Sequence, residues 1–467
     1  MATPKTRAGQ CPKARVSVAK VPRRSFMAGA LVTAAAGVLG MPRFAHAQTA
    51  TQTVFTNAAL FDGLGLTVRQ GMNVLVEGER VAAIVEGTMT APDGATVIDC
   101  AGRTLMPGMI DNHVHLFMTG SSQAAMMDPS QTFESLNAIA AEEARLMVLR
   151  GFTSVRDVGG PVFALKRAID SGEAVGPRIY PSGAMISQTS GHGDFRTLNE
   201  RSRRFGGTTS VGELMGVAFI ADGRDEVLTA VRENLRAGAT QIKLMAGGGA
   251  ASAYDPLDVA QYTFDELLAA VQAADDWGTY VCTHAYTTKA VRRCIDAGVK
   301  CIEHGQLLEE DTIKMLADNG IFLSLQVLSP APPTQTPDVI KKKQMVIDGT
   351  DTAFTFARKH NVKLAYGSDY LFNPKQNLSQ GADAVKLLQW FSPAETLQLL
   401  TARNADLLAL CGPRNPYDGK LGVIEVGAFA DVLLVDGDPA AQLDLIADPV
   451  ANFKVIMKGG QIYKNSL

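Results

Sequence analysis

Short apolar, β-branched runs alternate with longer amphipathic stretches over most of this chain, and that alternation restricts its fold more than any other feature. Eight runs stand out, at 105–115, 152–158, 178–183, 241–245, 280–285, 300–305, 321–327 and 363–369. Between them lie segments of helical periodicity, among them 132–150, 224–237, 263–277 and 287–297. Gly151, Gly238, Gly278, Gly298 and Gly320 stand where such segments end, as expected of helix C-caps. Eight strand-helix units predict an α/β fold, a TIM-like (β/α)8 barrel closed on itself, over residues 104–418. On either side, 48–103 and 419–467 read as short strands joined by Gly turns. They are expected to pair as one small β-sandwich domain made from both chain ends. A chain of 467 residues with 46% hydrophobic content has the length for a barrel and one accessory domain.

Residues 1–47 hold eight Lys or Arg and no Asp or Glu, with a weakly apolar run over 28–40 and then Ala45-His46-Ala47, a small-x-small cleavage pattern. The segment reads as an export signal cleaved near Ala47, which places the mature chain in the periplasm or outside the cell. Arg23-Arg24-Ser25-Phe26-Met27 resembles the twin-arginine signal, used by proteins that load their cofactors before crossing a membrane. The apolar run is too short to span a bilayer, so no membrane anchor is expected after cleavage. Taking the eight basic residues from the 44 in the chain leaves 36 Lys and Arg against 47 Asp and Glu, a net charge of −11 with His neutral. That balance argues against nucleic acid as a partner. The five Cys that remain are odd in number and lack CxxC spacing, which argues against a disulfide framework.

Six His remain after residue 47, and four of them fall near the C-terminal ends of the expected strands, where barrel enzymes place reacting groups. His113 and His115 form a His-x-His pair, and residues two apart in a strand project to one face, so both imidazoles can grip one ion. Lys243 lies in Gln241-Ile242-Lys243-Leu244-Met245, with its apolar neighbours toward the helices and its amine toward the interior. An unpaired ammonium is costly to bury there. Two solutions are open: an ion pair with Asp157 or Asp369, or reaction with carbon dioxide to a carbamate whose two oxygens bridge two cations. His284 and His304 add nitrogen ligands for a second ion and Asp369 a carboxylate, a mixed set that suits zinc.

These positions, with Met106-Pro107-Gly108-Met109-Ile110-Asp111-Asn112-His113-Val114-His115 and Gly367-Ser368-Asp369, resemble the amidohydrolase superfamily over essentially the whole mature chain. Thr153-Ser154-Val155-Arg156-Asp157, Ser190-Gly191-His192-Gly193-Asp194, the run from Lys243 to Gly249 and His284-Ala285-Tyr286 are similar to one branch of it. That branch holds prolidase-like carboxypeptidases and dipeptidases together with ochratoxin-hydrolysing amidohydrolases.

The resemblance implies two divalent metal ions, with His113, His115 and Asp369 on one, His284 and His304 on the other, and an N-carboxylated Lys243 bridging them. It implies cleavage of an amide next to a C-terminal amino acid, in a dipeptide, an N-acyl amino acid or an ochratoxin-A-like substrate. A hydroxide between the metals would attack, and Asp369 would serve as general base and then general acid. His192 and Tyr286 are candidates to touch the substrate, and Arg201, Arg203 and Arg204 are available for its carboxylate. His360, beside Lys359, reads as structural. A homo-oligomer is also implied, an octamer among its forms.

Two other readings compete. A deaminase or cyclic-amide hydrolase on the same scaffold is disfavoured because Ala285, Tyr286 and Thr287 follow His284 where single-metal deaminases place a Glu. A non-catalytic binding barrel is disfavoured because every ligand position is filled.

Overall fold

The run expected as the first barrel strand, 105–115, is divided at Gly108 between two sheets. This is seen in the computed structural model, which describes residues 51–467 except 127, 129 and 253; the export signal expected at 1–47 lies outside the described residues. Before the break come β1 (Gln52–Leu60), β2 (Arg69–Glu77), β3 (Arg80–Glu86), β4 (Thr96–Asp99) and β5 (Thr104–Pro107).

After it, β6 (Met109–Val114), β7 (Phe152–Asp157) and β8 (Arg178–Pro181) form a parallel ladder. β9 (Met185–Ser187), β10 (Ala218–Ile220), β11 (Ile242–Met245), β12 (Val281–Thr287), β13 (Cys301–Leu307), β14 (Phe322–Leu325) and β15 (Lys363–Tyr366) form a second, in the order β10-β9-β11-β12-β13-β14-β15. β6 and β11 are buried along their whole length, as parallel strands covered on both faces must be. Helices Phe133–Leu149, Arg224–Ala237, Phe264–Asp275 and Thr288–Ala297 fall on the segments of helical periodicity. The five glycines expected as caps have φ between 62 and 106°.

The ladder expected to close on itself is interrupted at two seams. Pro181 cannot donate and Gly183 turns through φ 76°, so the third expected strand, 178–183, stops early. The Asn234 amide there accepts from the Ala184 N–H at 3.0 Å and donates to its carbonyl at 2.8 Å. Across the same seam the Thr240 N–H donates to the Pro181 carbonyl at 2.8 Å. Between β15 and β6, Asn404 Nδ2 donates to the carbonyls of Ile110 at 2.7 Å and Tyr366 at 2.9 Å. β10, three residues long and absent from the expected strands, extends the second ladder beside β9.

β16 (Val432–Val435), β17 (Phe453–Lys458) and β18 (Gln461–Asn465) rejoin the first sheet, giving the order β18-β17-β16-β5-β1-β2-β3 with β4 beside β1. Both chain ends contribute, but the two-sheet sandwich is a single sheet of eight strands. β5 pairs antiparallel with β16, Leu105 opposite Leu434, and both side chains enter a core with Phe55, Val74 and Val455. Next to this sheet, Arg178 Nε and Nη2 donate to Asp431 at 3.2 and 3.3 Å, and the guanidinium lies 3.8 Å over the Phe429 ring. Cys100, Cys282, Cys294, Cys301 and Cys411 are free and buried. Among the described residues no helix is long and apolar enough to cross a membrane.

Candidate active site

Strand pleating carries much of the site. β6 delivers His113, with His115 just past its end, and their Nε2 atoms stand 3.2 and 3.5 Å from Asp369 Oδ1. One ligand atom from each of the three lies within 4.8 Å of the others. In the β11–β12–β13 register Lys243 lies beside Cys282, Met245 beside His284, and His284 beside Glu303, so Lys243, His284 and Glu303 share the inner face. His304 follows Glu303 and would point outward in a regular strand. Its φ of 79° breaks the pleat and turns the imidazole inward, with its ring 5.2 Å from His113 and 4.4 Å from His284. Asp369 is also left-handed, at φ 52°, so two candidate ligands occupy strained backbone. A Cβ on Gly367 would fall 2.3 Å from the His113 backbone nitrogen, so glycine is needed for β15 to approach β6.

The second layer fixes tautomers. His113 Nδ1 lies 2.8 Å from Glu303 Oε2, and His115 Nδ1 lies 3.1 Å from the Gly159 carbonyl. Both acceptors call for a proton on Nδ1, which leaves each Nε2 lone pair facing the Asp369 carboxylate. Lone pairs and a carboxylate repel at these distances unless a proton or a cation lies between them, and oriented imidazoles of this kind are characteristic of metal sites. Burial pushes the His304 imidazole down to about 3, against the pull of Asp369. Burial, with His192, His304 and Lys243 adding to it, also holds His284 well below its ordinary value. Both rings are therefore neutral and have lone pairs to offer a cation. Burial would raise Asp369, but a proton on a neighbouring imidazole, His113 above all, holds it well below the usual carboxylate range, and the positive charge that position calls for can be a proton or a cation.

Lys243 is 1% exposed, and among the described residues no carboxylate stands within ion-pair distance of it. The ion pair with Asp157 or Asp369 is therefore not made. Asp157 accepts from the N–H groups of Leu116 and Gly159 at 2.8 and 3.2 Å, and burial pushes its carboxyl up to about 8.

His192 stacks on His284 with ring centroids 4.1 Å apart, and its Nδ1 is 3.2 Å from Asp255 Oδ2. A Cβ on Gly249 would fall 1.8 Å from His192 Cε1, so that position must be glycine for the ring to lie there. Tyr286 is buried, its ring 4.9 Å from His304 and 5.1 Å from His284. All eight sequence-derived site residues thus join one cluster. The arginines differ: Arg203 pairs with Glu213 at 3.2 Å, Arg204 with Glu226 at 2.6 Å, and Arg201 is exposed. His360 is held by Glu310 at 2.8 Å, in keeping with a structural role.

Sequence reasoning passed over Glu303, Arg156 and Asp255. Arg156 Nη2 donates to Glu303 at 2.6 Å, and both residues are fully buried. A carboxylate inside the apolar run just before His304 was a usable signal for Glu303. Asp255 lies in an irregular segment without period and gave none. The side chains of Met118, Gln123, Met126, Phe195, Met215 and Phe372 line a small, mostly apolar pocket that none of the eight site residues enters.

A family model described as the amidohydrolase family matches residues 104–464. Ochratoxinase of Aspergillus niger is 29% identical over 389 residues, 77% of this chain and 75% of that protein. Its crystal structure superposes with a TM-score of 0.76 at 25% identity over 89% of this chain and 96% of that one. A prolidase solved with N-methylphosphonate-L-proline superposes with a TM-score of 0.80 at 32% identity, covering 89% of this chain and all of the other. A Xaa-Pro dipeptidase with methionine in its active site gives 0.76 at 28% identity over 89% of this chain.

Proposed function

The chain belongs to the amidohydrolase family, and we propose that it cleaves the amide bond preceding a free C-terminal amino acid, in a dipeptide, an N-acyl amino acid or an ochratoxin-A-like substrate. One observation carries the reading: four imidazoles, a carboxylate and a buried amine without a counter-anion converge at the ends of parallel strands. The comparisons support amide or peptide hydrolysis. The two parallel ladders, bridged at both seams, are consistent with the eight-stranded barrel of such enzymes.

His113, His115 and Asp369 would hold one divalent cation and His284 and His304 the other, with Lys243 as a carbamate between them; zinc fits the mixed nitrogen and oxygen donors. When bound, such a pair polarises a carbonyl and lowers the pKa of water toward neutrality. The remaining chemistry belongs to side chains. Asp369 receives the proton of the attacking water and delivers it to the amide nitrogen as the C–N bond breaks, so one carboxylate serves as base and then acid. His192, whose Nδ1–H would donate to Asp255, can offer an Nε2–H to the carbonyl oxygen as negative charge builds there only as an imidazolium, protonated on both nitrogens. Tyr286 closes the far side of the imidazole cluster.

The test is a hydrolysis screen of N-acyl amino acids and dipeptides against enzyme loaded with divalent metal, with Lys243→Ala as control. Release of free amino acid by the wild type and its loss in the variant is the expected result. Equal rates in both would remove Lys243, and no release from any substrate would remove the proposal.

A further inference from the structure

A substrate that ends in a carboxylate needs a cation near the scissile bond, and three of the rim arginines are engaged elsewhere while Arg201 is exposed. Arg203 and Arg204 have carboxylate partners, and Arg196 is bound to Asp194 at 2.6 Å. The helix Pro337–Lys359, which follows β14 and so arrives at the active-site end of the strands, carries a different candidate.

Lys342 and Lys343 are neighbours on this helix with opposite fates. Lys342 Nζ donates to the carbonyls of Ser252 at 2.6 Å and Asp255 at 3.2 Å, fastening the helix to the segment that holds His192. One turn on, Val346 packs in a cluster with Tyr286. Next, a Cβ on Gly349 would fall 2.2 Å from the Gln306 carbonyl, so the helix lies hard against β13. Lys343 shares the face of Val339 and Val346, is half-buried, and among the described residues has neither a hydrogen bond nor an ion pair. Burial pulls its ammonium below the ordinary lysine value and Asp369 opposes that pull, so its charge stands in the field of the carboxylate that the imidazoles surround. A half-desolvated ammonium without a protein anion among the described residues, on a helix fastened to the segment that holds His192, is a receptor for an anionic ligand.

The spacing agrees. The carboxylate carbon of a C-terminal residue lies roughly 4 Å from the scissile carbonyl carbon, so its cation should stand close to the reacting cluster without touching it. Among the described residues Lys343 makes no ion pair with Asp369, although the charge of that carboxylate opposes the effect of burial on its ammonium.

We infer that Lys343 receives the free carboxylate of the substrate's C-terminal residue and makes this site select acids over the corresponding amides. The inference rests on the amide-hydrolase reading for its substrate class, though its test does not require turnover. N-methanesulfonyl-L-phenylalanine has a sulfonamide in place of the scissile amide, and its affinity for metal-loaded protein can be compared by calorimetry with that of its C-terminal carboxamide. The wild type should bind the acid at least tenfold more tightly, Lys343→Met should abolish the difference, and Lys343→Arg should restore most of it. In turnover of N-acetyl-L-phenylalanine, Lys343→Met should raise KM by about thirtyfold with kcat little changed. Equal affinity for acid and amide in the wild type, no binding of either, or a preference that survives in Lys343→Met overturns the assignment. An intact preference for the acid without turnover of any N-acyl amino acid would sink the hydrolase reading and leave Lys343 as an anion receptor.

Discussion

Two charged clusters in this molecule are comparably buried and opposite in completeness. Beside the small sheet, the Arg178 guanidinium reaches both oxygens of Asp431, Asp431 also accepts from the Gly459 N–H at 2.7 Å, and the Phe429 ring covers the cation. Every charge there has a partner supplied by the chain. At the strand ends, Lys243 has no carboxylate within ion-pair distance among the described residues, and two imidazole Nε2 atoms face the Asp369 carboxylate. A cluster closed upon itself holds elements together, whereas one that needs a visitor is built for chemistry.

Substitutions can break or sharpen that contrast. The largest effect belongs to the open cluster: Asp369→Asn should lower turnover of N-acyl amino acids by about a thousandfold while the thermal midpoint changes little. A variant that retains wild-type kcat would take Asp369 out of proton transfer. The closed cluster should answer in the other quantity. Arg178→Ala strands the Asp431 carboxylate and should cost about 3 kcal/mol of stability by denaturant titration, with the kcat of folded protein near that of the wild type. Lost activity at full stability would show that the two clusters are not separate in role. Gly249→Ala should drive the His192 ring from its place and lower kcat by about a hundredfold without loss of bound metal, measured by elemental analysis. An unchanged kcat would make His192 a bystander.

The smallest effect concerns Lys458, where burial beside Arg178 and against the pull of Asp431 lowers the amine to about 8 from 10.5. The folded state gives up this proton before the unfolded one does, so between pH 8 and 10.5 the unfolded chain binds more protons and stability from this group should rise with pH. Below pH 8 both states are protonated, and the group's full unfavourable contribution is present. Lys458→Met should flatten that rise, seen as a weaker dependence of the thermal midpoint on pH; an identical slope in the variant would contradict it.

Much of the site was legible because strands have a period of two. His113, His115, Lys243 and His284 could be assigned to an inner face from spacing alone, and Asp369 from its place at the end of the last run. His304 obeys a different rule: its inward turn depends on a left-handed backbone that no alternation announces. The seam after β8 was written in Pro181 and Gly183, yet the run reads as one strand when hydrophobicity alone is followed. Lys343 was hidden for the opposite reason, since Lys341-Lys342-Lys343 at the start of a helix looks like a solvated face. Only the packing of that helix separates the buried clamp at Lys342 from the unpartnered amine next to it. The arginines at 201, 203 and 204 drew attention by composition, and the acidic partners of Arg203 and Arg204 lie too far along the chain to be paired with them by inspection.

The pairing of β5 with β16 joins the beginning of the described chain to nearly its end. Because β5 runs through Gly108 straight into β6, the backbone that presents His113 and His115 is moored to a strand translated hundreds of residues later. A premature stop that removed only β16, β17 and β18 would delete none of the site residues, yet it would leave β5 with one flank open. In this gene a lesion near the 3′ end reaches the first two histidines through a single continuous thread.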